Sequence, residues 1–153
     1  MADSCVKLHY DVPANDFTIA GEASGAVKKV LKQLGFPQAV IRRVAVAMYE
    51  CEINMVIHAE GGCIDVEITP KKIRMIHTDR GPGIKNIEKA MQEGYSTADD
   101  KARELGFGAG MGLPNMKRYT DDMKITTELG KGTVVEMTVL VNECYGRSRS
   151  ISM

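Results

Sequence analysis

Apolar and polar residues alternate over residues 5–12. Val6, Leu8, Tyr10 and Val12 fall on one side and Lys7, His9 and Asp11 on the other, the period of a half-buried strand. Pro13 ends it. The period then lengthens: Asp16 is suited to cap a helix, and Ile19, Ala23, Ala26, Val27, Val30, Leu31 and Leu34 recur at helical spacing until Gly35. Pro37 is placed to open a second helix reaching about His58, with Ile41, Val44, Ala45, Met48 and Met55 as its core stripe and Gly61-Gly62 as its end. Residues 63–69 and 73–79 read as a hairpin turned at Pro70-Lys71-Lys72. A short helix over 86–92 follows. Residues 94–111 have no period and much Gly, Ser, Thr, Asp and Lys, the composition of a functional loop such as a lid. A helix starts near Gly112 with Pro114 in its first turn, and strands at 123–128 and 133–141 flank the turn Leu129-Gly130-Lys131-Gly132.

This order predicts an α+β fold: a two-layer sandwich with helices on one face of a mixed, mostly antiparallel sheet, since the hairpins exclude an all-parallel one. Residues 1–145 are expected to form a single domain, and the Ser/Arg-rich tail 146–153 to be disordered. With 153 residues, 44% hydrophobic and 26% charged, the chain has enough apolar material for one core. Twenty basic residues balance twenty acidic ones, so the composition points to neither nucleic acid nor membrane. The scattered Cys5, Cys51, Cys63 and Cys144 form no CxxC pair, and the first residues lack the basic-then-apolar pattern of a signal peptide. A cytoplasmic location is expected.

Candidate chemistry lies in three places. Glu50 and Asn54 are four apart, so they share a helix face, and His58 continues the row. A carboxylate there could take a proton from a hydroxyl, and an amide oxygen could ligate Mg²⁺; the same spacing also suits a solvated polar edge. Glu52 falls among apolar positions of that helix, either as a paired buried acid or because the face is drawn wrongly. Asp79 precedes Gly81-Pro82-Gly83, where it could accept a hydrogen bond from an exocyclic amine or serve a plain turn. Gly106, Gly108, Gly110 and Gly112 alternate ahead of a helix, exposing successive amides to a phosphate, although a flexible linker is also glycine-rich. Neither a P-loop nor a dinucleotide fingerprint is present.

Taken in order, these segments resemble the GHKL superfamily of gyrase, histidine-kinase and MutL ATPase domains. Glu50 to His58 looks like its N box, Asp79 to Ile84 its first glycine box, Gly108 to Leu113 its second, and Thr133 after Gly130-Lys131-Gly132 its last threonine. Within it, residues 50–58, 94–97 and 110–118 look most like the small serine/threonine kinases of partner-switching systems, the anti-sigma factors and switch kinases. The resemblance implies the Bergerat fold and the cofactors ATP and Mg²⁺. It implies Glu50 as general base, Asn54 on Mg²⁺, and Asp79 on the adenine amine with Thr133 assisting through water. Gly81 and Gly83 would shape the adenine pocket, and His58 and Ile84 would also bind the cofactor. Thr97, Gly108, Gly110, Met111, Gly112 and Leu113 would surround the phosphates. The implied partner is a STAS-domain antagonist protein carrying the target serine or threonine, with a sigma factor as a second partner, and homodimers are common among the anti-sigma proteins. A nucleotide-gated module that sequesters a regulator without phosphotransfer is the competing reading.

Overall fold

The computed structural model describes residues 5–14, 16–58, 61–81 and 112–141. Five strands are described: β1 (Val6–Val12), β2 (Gly62–Ile68), β3 (Lys72–Asp79), β4 (Asp122–Glu128) and β5 (Gly132–Leu140). They form one sheet in the order β1-β2-β3-β5-β4. The helices are α1 (Glu22–Gln33), α2 (Gln38–His58) and α3 (Gly112–Arg118). The two-layer α+β architecture is the one the pattern predicts, but every described strand pairing is antiparallel rather than mixed. The β2-β3 and β4-β5 pairs are joined by short turns, whereas β1 reaches its antiparallel partner β2 through α1 and α2.

Alternation decides which sheet face meets the helices. Ile64, Val66 and Ile68 of β2, Ile73, Met75 and His77 of β3, and Val135, Met137 and Val139 of β5 are buried. Their strand neighbours Cys63, Asp65, Glu67, Arg74, Ile76, Thr78 and Glu136 are only partly buried, on the opposite face. There Arg74 bridges Glu67 at 3.3 Å and Glu136 at 2.8 Å, tying three strands together. The β2–β3 turn is held by Thr69, whose Oγ1 accepts from the Lys72 amide at 3.0 Å.

Helix α2 is the spine. It packs against α1, α3 and the strands β1, β3 and β5, which accounts for buried residues on several of its sides: Val40, Ile41, Val44, Ala47, Met48, Cys51, Glu52, Ile53, Met55 and Val56. Ala45, placed in the core stripe by spacing, is only partly buried, and Ala47 takes the buried position. Leu34 is 49% exposed rather than in the core. It sits at the last turn of α1, which closes when Gly35 (φ +82°) donates to the Lys32 carbonyl and Phe36 to that of Leu31.

The start of α1 departs from the expected single helix. Asp16 caps only a short 3₁₀ turn, Phe17–Ile19, by accepting from the Thr18 amide. The chain then turns at Gly21 (φ +97°) and α1 begins afresh. Its free amides end on Glu52. Oε2 accepts from Gly21 at 3.0 Å and Ala23 at 3.2 Å, and Oε1 from Ser24 at 3.0 Å. Glu52 is 3% exposed and is therefore a buried acid, satisfied by a helix N-terminus in place of a cation.

The expected helix over 86–92, the lid over 94–111 and the tail 146–153 lie outside the described residues, as do residues 1–4.

Candidate nucleotide site at the α2–α3 junction and the end of β3

Glu50 and Asn54 lie one turn apart on α2, both half-buried, on the side that meets α3. Glu52 lies roughly opposite, since two residues advance a helix by about 200°. The Glu50 carboxylate accepts a hydrogen bond at 2.9 Å from Asn115 Nδ2, and Asn115 Oδ1 in turn accepts from Arg118 at 3.1 Å. Asn54 lies against the first residue of α3. A Cβ on Gly112 would stand 2.9 Å from its Nδ2 and 3.2 Å from its Oδ1, so glycine there allows the two helices their close approach. Leu113 and Met116 secure α3 in the core. Arg43 secures the chain just beyond it, donating to the Tyr119 carbonyl at 3.2 Å and pairing with Asp121 at 2.9 Å.

Asp79 closes β3. Its Oδ1 accepts from the amides of Gly81 at 2.9 Å and Thr133 at 3.0 Å, while Oδ2 has no partner among the described residues. Glycines crowd its backbone: a Cβ on Gly132 (φ +135°) would stand 2.1 Å from the Asp79 carbonyl oxygen, and one on Gly62 would stand 2.7 Å from its Cα. Thr133 is buried, and its Oγ1 lies 3.0 Å from Thr127 Oγ1. It meets Asp79 directly through its backbone amide. Cys51 joins the two groups. It lies on α2 next to Glu50, fully buried, and its thiol is pushed well above its usual range by burial and by the negative charges of Asp79 and Glu52. The thiol is therefore neutral, an inert filler rather than a nucleophile.

The structure thus brings together Glu50, Asn54 and Gly112 at one helix junction, and Asp79, Gly81 and Thr133 at one strand end. Leu113 is 7% exposed and belongs to the core, which gives it a packing role. Gly83, Ile84, Thr97, Gly108, Gly110 and Met111 lie outside the described residues, as does the side chain of His58. Asn115 and Thr127 are participants that residue-by-residue reasoning missed. The only signal for Asn115 was its spacing of three from Gly112, which returns it to the same side of a short helix.

The donor set fits a magnesium nucleotide. Asn54 supplies an amide oxygen, a hard ligand suited to Mg²⁺, and among the described residues Asp79 keeps one acceptor oxygen without a partner. A separate cleft of about 370 Å³ lies between β1 and α1, lined by Val12, Pro13, Ile19, Ala23, Val56 and Glu52 among others. It contains neither Glu50 nor Asp79. No described helix is long and apolar enough to cross a membrane.

A sequence model described as the histidine kinase-like ATPase domain matches residues 13–139. The chain is 33% identical over 139 residues to a Bacillus subtilis (strain 168) protein named serine/threonine-protein kinase RsbT, covering 87% of this chain and 92% of that one. It is 32% identical over 119 residues to a Pasteuria penetrans protein named anti-sigma F factor, covering 73% of this chain and 76% of that one. Among solved structures, that of the RsbU and RsbW domains of a Mycobacterium tuberculosis protein matches with TM-score 0.56 at 18% identity, over 88% of this chain and 32% of that one. The SiaB–SiaC complex from Pseudomonas aeruginosa matches with TM-score 0.53 at 11% identity, over 88% and 89%. These two likenesses concern the fold.

Proposed function

The chain belongs to the histidine kinase-like ATPase family, in its partner-switching branch, and on that premise we propose that it is an ATP-dependent serine/threonine protein kinase acting on a regulatory partner protein. The partner on this reading is a STAS-domain antagonist, with a sigma factor as the regulator held. The observation that carries the reading is Asp79. Two backbone amides saturate one carboxylate oxygen and, among the described residues, leave the other for a donor, such as the exocyclic amine of adenine, that guanine does not present at that edge.

Glu50 is the group that would receive the proton of the attacking hydroxyl. Asn115 holds its Oε2, which fixes the carboxylate on the α3 side and keeps a second oxygen for the substrate. Asn54, one turn on, would hold Mg²⁺, which supplies charge neutralisation for the transferring phosphoryl group when bound. The fold's part is positioning: α2 carries both side chains, and Gly112 lets α3 close against them.

Two substitutions test this. Asp79→Asn keeps an oxygen for the Gly81 and Thr133 amides and puts an NH₂ where the free acceptor was. It should weaken ATP binding by about 1–3 kcal/mol, roughly 5- to 150-fold, in calorimetry, with the fold intact. Unchanged affinity would remove Asp79 from the pocket. Glu50→Ala should bind ATP and fail to phosphorylate the partner. Phosphotransfer that persists would end the base assignment, and a partner retained by ATP with no transfer even in the wild type would favour nucleotide-gated sequestration.

A further inference from the structure

The outer face of the sheet carries a second group of chemically distinctive residues, away from Glu50 and Asp79. The β1–β2 register sets His9 opposite Asp65 and Asp11 opposite Cys63, and alternation puts all four side chains on the face away from the helices. His9 stands between the two acids, with Nδ1 2.7 Å from Asp65 Oδ1 and Nε2 3.3 Å from Asp11 Oδ1. One ligand atom each from His9, Cys63 and Asp65 lie within 4.8 Å of one another.

We propose that His9, Cys63 and Asp65 form a binding site for a divalent zinc-class cation on the outer sheet face. A nitrogen, a sulfur and a carboxylate oxygen are the ligands zinc takes; a thiolate is unsuited to Mg²⁺ or Ca²⁺. Bonds of about 2.0–2.3 Å around a tetrahedral ion hold ligand atoms roughly 3.3–3.8 Å apart. The His9–Asp65 contact must open slightly and the widest separation must close, both by side-chain rotation. The side chains have the freedom for it, being 54% and 46% exposed at His9 and Asp65. On binding, the Cys63 thiol proton and the Nδ1 proton leave to solvent. Asp11 remains on Nε2–H, the outer carboxylate that orients a metal-bound imidazole. Solvent completes the coordination. A plain surface ion pair would explain His9 and its two acids, but it has no use for a thiol within ligand reach.

The test is titration of the reduced, nucleotide-free protein with Co²⁺, followed by Zn²⁺. The expected result is one Co²⁺ per chain with a thiolate-to-cobalt charge-transfer band, abolished by stoichiometric Zn²⁺. Cys63→Ser should remove the band while melting as the wild type does, and Cys5→Ser should keep it. His9→Ala, an exposed substitution, should weaken binding at least ten-fold, and Asp11→Asn about ten-fold. No charge-transfer band, or a band that survives Cys63→Ser, would overturn the proposal. Because no nucleotide takes part, this site and the nucleotide site stand or fall separately.

Discussion

Asp79 and Glu50 are the two carboxylates of the candidate site, held in opposite ways. Backbone holds Asp79: the amides of Gly81 and Thr133 bind it, and two glycines admit neighbouring strands to distances no side chain would allow. One side chain, Asn115, holds Glu50, and it hangs from a short helix. Backbone donors inside a sheet move only when the sheet moves, whereas a side-chain amide can rotate away at the cost of about one hydrogen bond. The difference teaches a division of labour. On the proposed function, the corner that would recognise the nucleotide is preformed and the corner that would react is adjustable, as suits a base that must release its resting partner when a protein substrate arrives.

The sharpest way to break this comparison is at Gly132. Gly132→Ala sets a Cβ against the Asp79 carbonyl at a φ of +135°, so β5 or the end of β3 must give way. A loss of about 3 kcal/mol or more in urea denaturation is expected. A loss under 1 kcal/mol would mean the corner is as adjustable as the other.

The preformed side has one weak point. His77 lies two residues before Asp79, 1% exposed, between Ile64 and Val135 on the neighbouring strands, and neither ring nitrogen has a partner among the described residues. Burial lowers its pKa from 6.5 to about 3, so it is neutral when folded. The unfolded chain binds a proton below about pH 6.5 and the folded one does not until about pH 3, so stability falls as pH drops through that window. His77→Leu removes this term. The variant should equal or exceed the wild type at pH 7.5, and its advantage should grow by about 2–3 kcal/mol at pH 4.5, measured by urea denaturation at both values. Parallel pH profiles would show that His77 has a partner or is already charged.

Legibility in the sequence followed the range of the interaction that decides each feature. Strands β2, β3 and β5 and the bulk of α2 were readable, because period and turn chemistry act over a few residues. Gly35 ended α1 as expected for the same reason. The start of α1 was not readable: the amides of Gly21, Ala23 and Ser24 are satisfied by Glu52, about thirty positions away, and Asp16 caps a different turn. That long-range cap also explains an acid among apolar positions. Glu50, Asn54 and Asp79 stand out in the sequence because their types and spacings can carry chemistry, yet how each is held was hidden. Asn115 reaches Glu50 across 65 positions, and the Thr133 amide reaches Asp79 across 54. Leu34 shows the converse: helical spacing put it in the stripe, but the helix ends before a neighbour covers it.

The smallest expected effect bears most directly on the adjustable corner. Asn115→Ala leaves Glu50 half-buried without its side-chain donor, and also frees Arg118 from its 3.1 Å contact with Asn115. Were Asn115 merely structural, the loss would appear in stability and affinity alike. As a positioning residue its removal should leave ATP affinity within about two-fold and lower kcat for the partner protein about five- to ten-fold, near 1 kcal/mol in the barrier. Asn115→Gln carries the same amide one methylene further and should recover part of the rate if the donor is what matters. A change in ATP affinity with kcat untouched would place Asn115 with the nucleotide instead, and the two corners would then share one mode of support.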